Sequence, residues 1–173
     1  MRFNYYAFIA MYAHEMDRFR RTLMQSLFSP VLSTSLYFIV FGSVIGGYVE
    51  KIDGISYGSY IVPGLLMLTL LTQSISNTSF SIFFPKFNGT IYEILAAPIS
   101  TFEIVFAFVG AGATKTLIVG VVIFITATFF VEVQVMYPLL MIFLLVLVAF
   151  TFALFGFLIG LMSSNFEQMS IVP

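Results

Sequence analysis

Four long and almost unbroken apolar runs limit what this chain can fold into. They cover about Ser29 to Tyr48, Tyr60 to Phe84, Phe102 to Val131 and Val135 to Met162. Each is near or above the roughly 20 apolar residues that carry a helix across hydrocarbon. The runs are continuous rather than alternating, which favours helices over a barrel. Only 9% of the residues are charged and 60% are hydrophobic, whereas a soluble domain has about 25% charged residues. The expected fold is therefore an all-α integral membrane protein, with residues 1–173 as a single transmembrane domain. The last two runs exceed the need, so they are expected to tilt or to project beyond the bilayer.

The same composition removes several classes of function. A net charge of −1 leaves no basic patch able to neutralise many phosphates, so no nucleic-acid partner is expected. Cysteine is absent, which excludes disulfide frameworks and thiol chemistry. Without Trp, Tyr and Phe must supply any aromatic belt at the membrane surface.

Residues 1–28 are expected to form an N-terminal interfacial amphipathic helix. Phe8, Tyr12, Met16, Phe19, Leu23 and Leu27 recur at three- and four-residue steps and make one apolar stripe. Glu15–Arg18, Asp17–Arg20 and Asp17–Arg21 have helix-pair spacing on the other side. The apolar core of residues 1–13 is too short for a signal peptide, and no small-x-small site follows it.

The most punctuated stretch is the loop from Lys86 to Ser100, KFNGTIYEILAAPIS, between the second and third runs. Thr90 and Glu93 have capping-box spacing, and Ile91, Ile94 and Leu95 fall on one helical face. Pro98 should end the helix. Such a helix either anchors a loop at the surface or offers a face to a partner outside the bilayer. Basic residues set the orientation: Arg2, Arg18, Arg20, Arg21 and Lys86 lie on one side, with only Lys51 on the other. By the positive-inside rule the N-terminus and the Lys86–Ser100 loop are cytoplasmic.

Little in the chain suggests catalysis. His14-Glu15 begins like a zinc-binding HExxH, but Arg18 stands where the second His is needed, so no metal site is expected. Gly110 to Thr116 resembles a phosphate loop only faintly, since Thr114 replaces the Gly before Lys115. Lys115 itself, deep in the third run, is costly wherever it meets lipid. It either lines a route or pairs with a carboxylate, or it snorkels to an interface. Thr69, Thr72, Gln73, Ser76 and Asn77 form a polar row on the second run. That row serves helix packing or the wall of a cavity. Gly42/Gly46 and Gly156/Gly160 have the spacing that permits close helix approach.

In order and spacing, several segments together are similar to the membrane-spanning subunit of ABC-2 type exporters. They are Arg21 with Ser29-Pro30, Phe41-Gly42, the run from Tyr60 to Pro63-Gly64, Ser76-Asn77-Thr78-Ser79, and Ile82-Phe83. Gly89 to Leu95, Pro98-Ile99-Ser100 and Phe166-Glu167-Gln168 complete the set. The resemblance implies a permease subunit in the bacterial inner membrane that moves a polysaccharide, lipid-linked or drug-like substrate outward. It also implies four spans of an expected six, so the sequence has the look of a truncated chain, with residues 163–173 as the approach to a fifth span. A homodimer would work with an ABC ATP-binding subunit, and no cofactor would be bound by this chain, since ATP and Mg belong to the ATPase. Gly89, Thr90, Tyr92, Glu93, Leu95 and Pro98 would then be the coupling segment touching that ATPase, with Tyr92 where an acidic or polar residue is more usual. The alternatives are a non-transporting membrane scaffold with a docking loop and, less favoured, a membrane enzyme, for which the runs hold no His or Asp.

Overall fold

A computed structural model describes residues 4–45, 54–133 and 135–170, with side-chain surroundings left undescribed at 42–45 and 170. Among them the regular elements are helical. They are α1 (Tyr5–Arg21), α2 (Leu23–Tyr37, continued by a π-helical segment Phe38–Ile45), α3 (Tyr57–Asn88), α4 (Ile91–Ala96), α5 (Thr101–Phe130), α6 (Pro138–Met162) and α7 (Phe166–Ser170). Four are long and apolar enough to span a membrane: Leu23–Phe41, α3, α5 and α6. The loop holding Glu50, Lys51 and Asp53, the end of the first expected span, and Arg2 and Gly46 lie outside the described residues.

Several boundaries differ from expectation, each for a local reason. The first span begins at Leu23, because the chain breaks at Thr22, whose N–H bonds to the carbonyls of Arg18 and Phe19. The helix expected to end at Phe84 continues through Pro85 and Lys86 to Asn88. A proline near a helix end removes only one ladder bond, and Gly89, at φ 80, supplies the left-handed stop. Lys86 therefore belongs to the helix rather than to the loop. Its Nζ donates to the carbonyls of Leu161 and Ser163, at 2.7 and 2.9 Å, satisfying the bare C-terminal end of α6. At its other end α6 starts at Pro138, where a missing N–H costs nothing.

Core packing centres on α5, more than half of whose most apolar window is buried. Contacts fix the directions. Gly112 meets Thr78 and Gly120 meets Leu70, so α5 is antiparallel to α3. Gly156 meets Ile75 and Gly160 meets Ser79, so α6 is parallel to α3. Of the two glycine pairs read in the sequence, this one is a helix contact: a Cβ at Gly156 would lie 2.5 Å from the Ile75 carbonyl oxygen, and at Gly160 2.5 Å from that of Ser79. Nearby, Ser74 Oγ donates to the Ala149 carbonyl at 2.6 Å, binding the same pair of helices. Gly156→Leu would force α6 off α3 and is expected to destabilise the protein by about 1–3 kcal/mol. Thermal unfolding of the detergent-solubilised variant measures it, with Phe155→Leu, at an exposed position next to the glycine, as the control.

Candidate functional site

The expected loop helix is present as α4, one and a half turns long, between the ends of α3 and α5. Ile91 and Ile94 pack against the cluster formed by Ile82, Ile104, Phe108 and Phe157. Leu95 does not join them. It stands 63% exposed, beside Tyr92 at 73%. Glu93 and Pro98 are also exposed. The outer face of α4 therefore shows an aromatic ring, a carboxylate and a leucine, while its inner face is tied down.

The capping box expected at Thr90 and Glu93 lies elsewhere. Thr90 makes no capping bond to α4; its hydroxyl points toward the Pro85 carbonyl. The reciprocal pair forms ten residues later. Ser100 Oγ accepts from the Glu103 N–H at 3.3 Å, and Glu103 Oε2 accepts from the Ser100 N–H at 2.7 Å. Glu103 Oε1 also accepts the backbone N–H of Asn4. One buried carboxylate thus starts α5 and holds the beginning of α1.

The polar row on α3 divides. Thr69 and Thr72 return their hydroxyls to carbonyls of their own helix, at Leu65 and at Leu68 and Thr69. Asn77 donates to Gln73 at 3.4 Å along the same helix, and Ser76 completes the row half-buried. Thr69, Thr72 and Gln73 line a cleft of about 250 Å³ whose other wall is α2, with Ser29, Ser33, Thr34 and Tyr37. Those α2 residues were missed in the sequence, although Ser29, Ser33 and Tyr37 recur at four-residue steps. At the far end of the bundle from α4, Tyr60, Pro63, Leu66, Phe124, Tyr137 and Leu140 help enclose a half-open apolar cavity of about 730 Å³.

Lys115 lies apart from that row. It is buried, and its Nζ donates to Glu15 Oε2 at 2.7 Å. The same oxygen accepts from Arg18 Nη2 at 2.8 Å and from Ser81 Oγ at 2.6 Å. Arg18 also donates to Ser81 Oγ at 2.9 Å and stacks over the Phe80 ring. Of the readings open in the sequence, pairing with a carboxylate is the one observed, and the carboxylate is Glu15. Glu15 is then no surface charge of an isolated interfacial helix, since it is 2% exposed. The apolar stripe of Phe8, Tyr12, Met16 and Phe19 does face the bundle, and Glu15 lies on the edge of that face. Two charges buried together cost much desolvation, and removing one strands the other. Glu15→Leu is expected to cost about 3–5 kcal/mol, whereas Glu15→Leu with Lys115→Leu recovers most of it. A double-mutant cycle on melting temperature in detergent reads the difference.

The sequence has counterparts among known proteins. The ABC-2 type transporter family model matches residues 6–173. Over all 173 residues the chain is 38% identical to the inner membrane transport permease YadH of Escherichia coli strain K12, and equally to those of Escherichia coli O157:H7 and Shigella flexneri. The match takes in 100% of this chain and 68% of each relative. No solved structure matches it. Four membrane-spanning helices, a short helix between the second and third, and similarity along the whole length converge: the chain belongs to the ABC-2 type transporter family and is an inner-membrane permease subunit.

Proposed function

We propose that this permease subunit exports a polysaccharide, lipid-linked or drug-like substrate, driven by ATP hydrolysed on a separate subunit. Family membership implies association with an ABC ATP-binding subunit; the finer reading is that α4 is where that subunit pushes. The observation carrying it is the two-sidedness of α4. Ile91 and Ile94 are partly buried and pack against the core, so force on the helix reaches the bundle, while Tyr92, Glu93 and Leu95 stand out toward a partner. Exposed aromatic and aliphatic side chains on a rigid base suit an interface anchor. Gly89 and Pro98 bound the segment, and Thr90 precedes its first turn.

In this reading the N-terminus and α4 are cytoplasmic, two copies of the chain form the pathway, and ATP and Mg stay with the ATPase. Pressure on α4 tilts α3 and α5, whose ends flank it. The cleft between α2 and α3, with Thr69, Thr72 and Gln73 on one wall, is then the route's polar surface, extended by Ser76 and Asn77. Lys115, buried against Glu15, serves helix packing in this reading.

Tyr92→Ala with Leu95→Ala should weaken binding of the ATPase subunit by about tenfold or more, while the variant permease still inserts. Titration of the purified ATPase onto permease in nanodiscs checks this, and unchanged affinity would remove α4 from the interface. Because the chain has no cysteine, Glu93→Cys adds a unique thiol. Its labelling by an impermeant maleimide from the outer side of intact cells would overturn the orientation.

A further inference from the structure

The contacts between α1 and α5 form a series. Asn4 N–H meets Glu103, Tyr12 OH donates to Thr114 Oγ1 at 2.9 Å, and Glu15 accepts from Lys115. Residue numbers rise together on both helices, so α1 runs lengthwise beside α5 in the same direction. Glu15 also accepts from Ser81 of α3, and Ser81 lies five residues before Lys86, the side chain that closes the end of α6. That is roughly 7.5 Å along the helix axis. The buried charges thus sit inside the bundle, reached from the middle of α5 by Lys115 and from the last third of α3 by Ser81. There they join three helices, two of which are the helices flanking α4.

We propose that Glu15 and Lys115 are positioning residues that fasten α1 to α5 and α3, so that the N-terminal helix travels with the two spans on either side of α4. The inference rests on the reading of α4 as the segment the ATPase pushes, and adds that the moving body includes α1. A hydrophobic contact alone would let α1 slide, because apolar attraction is non-directional. A carboxylate oxygen shared by an ammonium, a guanidinium and a hydroxyl holds one register, since displacement leaves charges buried without partners. Relative motion is then left to Thr22, where α1 ends and α2 begins with no side-chain cap.

The test uses nitroxide labels on the permease assembled with its ATPase subunit in nanodiscs. Ile9 and Phe106 are exposed, on α1 and α5, at 58% and 57%, and these 173 residues contain no cysteine. A single label at Phe106→Cys reports the distance between the two copies of the permease. The pair Ile9→Cys and Phe106→Cys reports the short distance between α1 and α5. The expected result on adding Mg-ATP with vanadate is a shift in the first distance and none in the second. Glu15→Gln with Lys115→Met removes the ion pair between α1 and α5, leaving Arg18 its bond to Ser81, and should make the α1–α5 distance broaden or shift under ATP. The exchange Glu15→Lys with Lys115→Glu should restore the fixed distance.

A wild-type α1–α5 distance that shifts together with the inter-copy distance overturns this inference and leaves the role of α4 standing. So does a Glu15→Gln, Lys115→Met variant whose α1–α5 distance stays fixed. An inter-copy distance that ignores ATP removes the α4 reading and the inference with it. Should the double variant fail to assemble, the wild-type pair of distances still decides.

Discussion

Inside a bilayer a backbone N–H, a carbonyl or a charge has no water to fall back on, and this molecule follows from that scarcity. Long helices satisfy their own ladders. Where the ladder stops, another side chain must reach in, as Lys86 does at the end of α6 and Ser100 with Glu103 do at the start of α5. Where a charge enters the bundle it must bring partners, and Lys115 finds Glu15 and Ser81. Among the described residues, the polar contacts that join one helix to another span elements far apart in the chain.

Close approach supplies the rest. Glycines at 112, 120, 156 and 160 let α3 meet α5 and α6 with no room for a Cβ. Lipid tails are as apolar as leucine, so helix association depends on such contacts and on hydrogen bonds like that from Ser74 to Ala149 rather than on hydrophobic burial. Much of α6 consequently keeps an apolar exterior, with only 22% of its most apolar window buried. That surface suits lipid, or further helices.

At the end carrying α4, packed and displayed side chains are separated. Ile91 and Ile94 pack against the core and Tyr92 and Leu95 are displayed, so the short helix is connected to the bundle on one side and available on the other. On the neighbouring flank α1 lies along α5 and α3, held by carboxylates at both ends, while α2 and α3 leave a cleft between them. A push arriving at one place would thus be distributed to several helices and not to the whole bundle alike.

The four spans, the all-helical class, the short helix after Gly89 and the family were legible in the residues, because hydrocarbon demands uninterrupted apolar length and punishes any departure from it. The apolar stripe of α1 was legible as well, from its three- and four-residue spacing. Local chemistry was less dependable: Thr90 and Glu93 have the right spacing for a capping box, yet the box forms at Ser100 and Glu103, where backbone dihedrals suit it. Glu15 looked like a surface charge, and Ser29, Ser33 and Tyr37 looked like ordinary span residues. Only the tertiary structure decided that Glu15 meets Lys115, that Leu95 faces outward, and that α2 and α3 enclose polar side chains. Spacing along one helix shows which side chains share a face; which helix that face meets depends on packing among elements as much as 102 residues apart.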